Sequence, residues 1–364
     1  MSFNGDEAPR VTYQNKRVLV TGGLGFIGSN LAIRLVREGA RVTIVDDSIL
    51  GCGANHFNIE PVGDSVHVIP RSIAEAEYFH QALEGCDVVF NLAGEISHLH
   101  SMAMPERDLE INTLAQLHFL SVLTRHAPGV RVVYAGTRQV YGAPEYLPVD
   151  ENHPINPVDF NGVHKYAATM YHLMLSNTGQ LDAVVLRLTN VYGPRMAMDV
   201  PCQGFLATFL RKLATGQRLE IFGDGRQLRD PAYVDDVVEA FLQAGAVERL
   251  RSRSYNVGGP EPLSMTELAT IASRAAGLEA PTVKEFPYDR KMIDIGSYYT
   301  DSSRIRDELG WSPAIRFTEG LALTLDYYRR HLPKYLDPAI LHPPCKLDLK
   351  PTLAVPGKKT TVQA

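Results

Sequence analysis

From Arg17 to about Ala183, short runs of apolar and β-branched residues alternate with stretches of helix length. The runs are RVLVTGG from Arg17, RVTIVDD from Arg41, VHVIP from Val66, CDVVFNLAG from Cys86, VRVVYAGT from Val130 and LDAVVLRL from Leu181. Each reads as a strand buried on both faces, and the helical stretches between them predict a parallel sheet wrapped by helices. After Tyr192 the regularity is lost. GPRM, FGDGRQLRDP and VGGPEP form turn-rich breaks between predicted helices at Gly204 to Thr215 and Ser264 to Ala276. The pattern divides the chain into an extension over 1–16, a main α/β domain over 17–192 with 229–250 packing back on it, and a smaller, irregular α/β domain over 193–336. Residues 337–364 are rich in Pro, Lys and Thr without apolar periodicity and read as a disordered tail. No internal repeat is visible.

Charge removes several function classes. Lys and Arg number 36 against 41 Asp and Glu, a net charge of -5, with no dense basic block, so nucleic acid is not an expected partner. The start, MSFNGDEAPR, is polar, and no apolar run approaches the ~20 residues of a membrane helix. The expectation is a cytoplasmic protein with neither signal peptide nor span. Cys52, Cys86, Cys202 and Cys345 are far apart and form no CxxC pair, which suits reduced thiols acting as small apolar residues. His98 and His100 are spaced as a possible metal pair but lack a third ligand, so packing or solvent contact and no metal are expected.

The strongest chemical signal is where the strand Val18 to Thr21 runs through Gly22, Gly25, Phe26, Ile27 and Gly28 into the helical SNLAIRLVREG. Glycines at these positions let the chain turn sharply, admit a pyrophosphate against the backbone, and let the helix pack on the strand. The helix N-terminus offers unpaired N–H groups to the phosphates. A Rossmann-type doubly wound sheet with a dinucleotide site is implied. Asp46 ends the second strand 18 residues past Gly28, near the usual distance for the acid that binds the adenosine ribose hydroxyls. A carboxylate there repels a ribose 2′-phosphate and favours NAD over NADP.

The succession of TGGLGFIG, the strand-end acid, NLAG at Asn91 to Gly94 and VYG at Val140 to Gly142 resembles the extended short-chain dehydrogenases/reductases, the NAD-dependent nucleotide-sugar epimerases, dehydratases and decarboxylases. LRLTNVYGPR from Leu186, FGDGRQLRDPAYVDDV from Phe222, YNVGGPEPLSMTELA from Tyr255 and DSSRIRDELGW from Asp301 extend the resemblance to about Tyr328. It implies cofactor contacts from Phe26, Ile27, Leu92 and Ala93 beside the glycines. It implies that Thr137 bonds the hydroxyl being oxidised, and that Lys165 binds the nicotinamide ribose. The family's general base is a Tyr four residues before that Lys, and here the position is Asn161. An amide cannot accept a proton as a phenolate can. Either another group serves as base, with His164, Glu95 and Lys165 as candidates, or the chain is a non-catalytic binder of NAD or sugar nucleotide. Arg138 and Gln139 occupy the two positions where 4,6-dehydratases of the family carry an Asp-Glu pair, which argues against that mechanism.

By the same resemblance Arg229 faces the nucleotide diphosphate, Asn190 contacts the sugar-phosphate end, and Arg195 adds charge nearby. The implied reaction is oxidation of a nucleotide-diphosphate sugar, most readily at C4, followed by return of the hydride. C4 epimerisation leads, with dehydration or decarboxylation as alternatives. The family also pairs helices like those around Leu109 to Thr124 and Val163 to Ser176 into a homodimer.

Overall fold

The computed structural model describes residues 12–49, 51–200 and 204–336. The tail expectation for 337–364, most of the extension over 1–16, and Cys202 and Cys345 lie outside the described residues. Among these residues the main sheet has seven strands: β1 (Arg17–Thr21), β2 (Arg41–Val45), β3 (Val66–Ile69), β4 (Val88–Asn91), β5 (Arg131–Thr137), β6 (Asp182–Leu188) and β7 (Ser254–Val257). The first six are the six runs read from the sequence. Their order is β3-β2-β1-β4-β5-β6-β7, and every neighbouring pair is parallel. β7 lies beyond the regular alternation and pairs with β6 from Ser254↔Val185 to Val257↔Leu188.

Helices cover both faces, which is why these strands are apolar throughout. On one face α1 (Phe26–Arg37) packs beside α7 (Val234–Ala246). On the other lie α4 (Ala115–His126), α5 (Phe160–Asn177) and a 3-10 segment, Ile73–Ala82. Leu19 and Val89 point to the second face and Val20, Phe90 and Ile44 to the first, all with no solvent exposure. Each such side chain contributes about 1.5–3 kcal/mol by burial. The sheet order reverses between β1 and β4, and an open α/β sheet binds its ligand at the carboxyl edge of that crevice.

The helix read over Leu109 to Thr124 is interrupted. α2 (His98–Ala103) and α3 (Pro105–Leu109) precede a π-helical turn over Glu110–Leu114, and α4 follows. The wide turn directs Asn112 and Gln116 inward, where both are fully buried. Apolar periodicity does not register such a turn, because it shifts the helix by one residue without changing its composition.

The remaining chain forms α6 (Phe205–Ala214), α8 (Met265–Ala275) and the helix Phe317–His331, which pack on one another. Short strand pairs accompany them, such as Glu220–Phe222 with Thr282–Lys284. Ser264 caps α8 with Glu267 in a reciprocal pair of hydrogen bonds. Among the described residues no helix is long and apolar enough to cross a membrane. Cys52 and Cys86 are free, half-buried thiols, each raised to about 11 by burial, so both are protonated at neutral pH.

Candidate active site

A cavity of about 440 Å³ opens at the carboxyl ends of the strands. Its first wall is the glycine turn. Gly22 has a φ of +66°, and a Cβ there would lie 2.9 Å from Ala93 N; one at Gly28 would lie 2.2 Å from Gly22 O. Glycine is required at both positions by close backbone approach. Gly22, Gly25, Phe26, Ile27 and Gly28 all line the cavity, and α1 begins at Phe26, so its first-turn N–H groups lie at this wall. Asp46 also lines it, accepting from Leu24 N at 3.0 Å and Ser48 N at 2.9 Å. Burial raises the Asp46 carboxyl above its ordinary value.

The second wall is the turn after β4, built on a buried polar chain. Thr21 Oγ1 donates to Asn91 Oδ1 at 2.7 Å and accepts from Leu92 N and Ala93 N, each at 3.1 Å. Asn91 Nδ2 donates to Gln116 Oε1, and Gln116 Nε2 to Ala93 O. Asn112, delivered by the π turn, brackets Glu95 by accepting from its N–H and donating to its carbonyl, each at 3.1 Å. Leu92 and Ala93 therefore reach the cavity with their backbone fixed.

Thr137, Arg138, Gln139, Asn161, Lys165 and Asn190 form the third wall. Thr137 caps the short 3-10 turn Arg138–Tyr141 by accepting from Gln139 N at 3.3 Å. Arg138 is buried, its guanidinium 4.7 Å over the Tyr298 ring, with Nη2 donating to Asn190 Oδ1 at 3.2 Å and Nη1 without a partner. Burial pulls its pKa below the usual arginine value. Burial likewise pulls Lys165 down to about 8, against the opposing charge of Asp108. Gly94 makes room for this amine, since a Cβ there would lie 2.9 Å from Nζ.

Four residues expected at the site do not line the cavity. Glu95 is buried and turned to His100 Nδ1, with Arg107 Nε 3.8 Å from its other oxygen. His164 points to Asp108, Nδ1 to Oδ1 at 2.8 Å, because its position on α5 faces α3 rather than the sheet edge. Arg229 donates to Leu228 O and Gly296 O at 2.7 and 2.5 Å and lies 3.7 Å from Asp294. Arg195 ties α1 to the 56–65 segment, donating to Asn30 Oδ1 and Asn58 O, with its guanidinium 5.3 Å over Tyr327.

Asn161 is 1% exposed and acts as a buckle. Its Nδ2 donates to Glu95 O at 3.0 Å and to Asp108 Oδ2 at 2.9 Å, and its N–H donates to Ser101 Oγ. His98, expected to pack or face solvent, stands on the cavity wall. Its Nδ1 lies 2.9 Å from Asp159 Oδ2, and its Nε2 meets the amide of Gln139. The sequence offered His98 only as half of a possible metal pair with His100; Asp159 is 61 residues away. His80, Glu84 and His126 form a surface group whose ligand atoms lie within 4.8 Å of one another, outside the cavity lining.

A doubly wound parallel sheet with a glycine cradle at its switch point, a strand-end acid, and a Thr and Lys at the opposite wall defines a dinucleotide-binding enzyme fold of the short-chain dehydrogenase/reductase type. Residues 18–258 match the model of the NAD dependent epimerase/dehydratase family, and the chain belongs to that family. The UDP-glucose 4-epimerase of Mycolicibacterium smegmatis is 35% identical over 315 residues, covering 86% of this chain and 98% of that protein. The crystal structure of the UDP-glucose 4-epimerase of Thermotoga maritima with UDP-glucose superposes with a TM-score of 0.78 at 30% identity, covering 86% of this chain and 99% of that one. MoeE5 in complex with UDP-glucuronic acid and NAD gives a TM-score of 0.74 at 28% identity, with the same coverage.

Proposed function

We propose that this chain is an NAD-dependent nucleotide-sugar 4-epimerase. The observation that carries the reading is one cavity joining the dinucleotide cradle to Thr137 and Lys165, with Arg138 and Gln139 where a dehydratase needs its acid pair. The residues fit the cofactor: Gly22 and Gly28 let the turn fold tightly against its own backbone at the cavity wall, and the first turn of α1 suits a pyrophosphate. NAD bound there would supply a reversible acceptor for the hydride of the sugar carbon. The glycine turn and Asp46 hold the adenosine half, Lys165 the nicotinamide ribose, and Thr137 the sugar hydroxyl. Asn190 and Arg138 meet the sugar and its phosphates. Arg195 and Arg229 support the walls behind them. The relatives named above act on or bind UDP-sugars, so UDP is the first nucleotide to supply.

A second reading has its own support. Arg138 is a buried guanidinium with a free Nη1 on the cavity wall, a setting that suits an anionic sugar such as a uronic acid and hence a decarboxylase. Leu109, Leu114 and Leu117 on α3, the π turn and α4, with Val163, Met170 and Met174 on α5, are exposed large apolar residues on neighbouring helices. They support a homodimer. The free thiols support a cytoplasmic location.

The test is NMR with mass spectrometry on UDP-sugars incubated with protein and NAD in D2O. An isomer of unchanged mass is the expected product. Loss of carbon dioxide or water, or deuterium uptake, moves the assignment to chemistry at C5. No conversion, with NAD tightly bound, leaves a non-catalytic binder.

A further inference from the structure

We infer that His98, oriented by Asp159, is the general base that stands in for the absent phenol. The inference rests on the epimerase reading and deepens it by naming the proton acceptor. Asn161 spends both amide N–H groups on Glu95 O and Asp108 Oδ2 and has no titratable atom. His164 and Glu95 are engaged outside the cavity lining. Lys165 lies on the cavity wall, but it is the group on which the nicotinamide ribose is placed.

His98 is the first residue of α2 and lines the cavity with its side chain 28% exposed, against 5% for Asp159. Asp159 is doubly fixed: Oδ1 caps α5 by accepting from Gly162 N at 2.7 Å, and Oδ2 faces His98 Nδ1 at 2.9 Å. Burial works to raise the Asp159 carboxyl, but the bonds from His98 and Gly162 hold it below the ordinary range. It is therefore an acceptor only, so Nδ1 carries the ring proton and the lone pair stands at Nε2. A buried carboxylate, Nδ1–H and an unprotonated Nε2 are the arrangement by which a histidine is oriented to take a proton.

Gln139 marks where that proton comes from. Its amide meets His98 Nε2, and its Oε1 is buried without a partner. One amide rotamer donates N–H to the neutral ring; rotation by half a turn brings the orphan oxygen against an Nε2–H, so the same side chain serves both protonation states. Thr137, whose Oγ1 accepts from Gln139 N, stands on the same turn. In the oxidation the sugar O–H bond breaks and its proton passes to Nε2. The C–H electron pair leaves as hydride to bound NAD, and C=O forms. On return the hydride adds to the carbonyl carbon and Nε2–H restores the hydroxyl proton, so protons and electrons balance over the cycle.

The test has two arms. Long-range 1H–15N NMR of the wild-type imidazoles, with the His98 signal assigned by loss in His98→Ala, should show the Nδ1–H tautomer. Asp159→Asn should alter it, as befits a positioning residue. An Nε2–H tautomer in the wild type overturns the proposal. In the second arm, His98→Ala should lose about 10²–10⁴-fold in turnover of the UDP-sugar that the wild type converts. NAD affinity by calorimetry should stay within about threefold, and free imidazole should restore part of the rate. Turnover near the wild-type rate, or a loss that imidazole leaves unchanged, overturns the assignment. A wild type silent on every nucleotide sugar sinks the epimerase reading and this assignment with it. An active wild type with an unaffected His98→Ala sinks the assignment alone.

Discussion

Replacing Lys165 by Met should make the NAD-free protein more stable at neutral pH while destroying its function. The amine is 6% exposed, and burial holds it at about 8 instead of 10.5, with the attraction of Asp108 already included. At about 1.4 kcal/mol per pH unit, that depression means the charged ammonium costs the folded state about 3 kcal/mol. The sign follows from proton counts. Between about 8 and 10.5 the unfolded chain holds a proton that the folded chain has released, so wild-type stability rises with pH across that window. Below it both states are protonated and the full penalty stands; above it both are neutral and the penalty is gone. Methionine matches the volume of the lysine stem and carries no charge. Urea unfolding of NAD-free protein should therefore show Lys165→Met stabilised by about 3 kcal/mol at pH 7, the difference shrinking toward zero by about pH 10.5. NAD binding should weaken and turnover vanish. A variant less stable than wild type at pH 7, or a difference that does not change with pH, refutes the reasoning.

Three further outcomes are expected. Asn161→Tyr should not raise turnover above the wild-type rate: the site is 1% exposed, and the ring would displace an amide that satisfies Glu95 O and Asp108 Oδ2. It should cost about 3 kcal/mol in chemical denaturation, from overpacking and two unmet acceptors. Gly28→Ala should lower NAD affinity at least tenfold by calorimetry, because its Cβ would lie 2.2 Å from Gly22 O and the cradle would have to open. Leu117→Glu with Met174→Glu, both at exposed positions, should give a monomer by sedimentation, with the fold unchanged by circular dichroism.

The main sheet was legible where a strand lies between two helical layers, because burial on both faces leaves an unbroken apolar run. All six such runs became β1 to β6. β7 was not legible as part of that sheet. Ser254–Val257 is four residues long, sits among turn-rich segments, and joins the sheet only through its pairing with β6, a contact about 69 residues away in sequence. The π turn at Glu110–Leu114 was hidden for a different reason: periodicity reports which residues are apolar, not how many complete a turn.

At the site, legibility followed the backbone. The glycine turn, Asp46 and the strand ends carrying Thr137 and Asn190 are fixed by local geometry, and each reached the cavity. Long side chains on the second half of the chain did not follow from position, because an arginine goes where unmet carbonyls are. Arg229 found those of Leu228 and Gly296, and Arg195 that of Asn58. The missing tyrosine belongs to the same argument. Asn161 is not an empty place but a joint between α5, α3 and the turn after β4, and its hydrogen bonds take up the space a phenol would need. With that position closed, a proton acceptor has to enter from another wall. Among the described residues, the one histidine on the cavity wall enters from α2, held by the residue that caps the helix carrying Asn161. One oxygen of Asp159 caps α5, a local role; the other gains a role only once the fold brings His98 across.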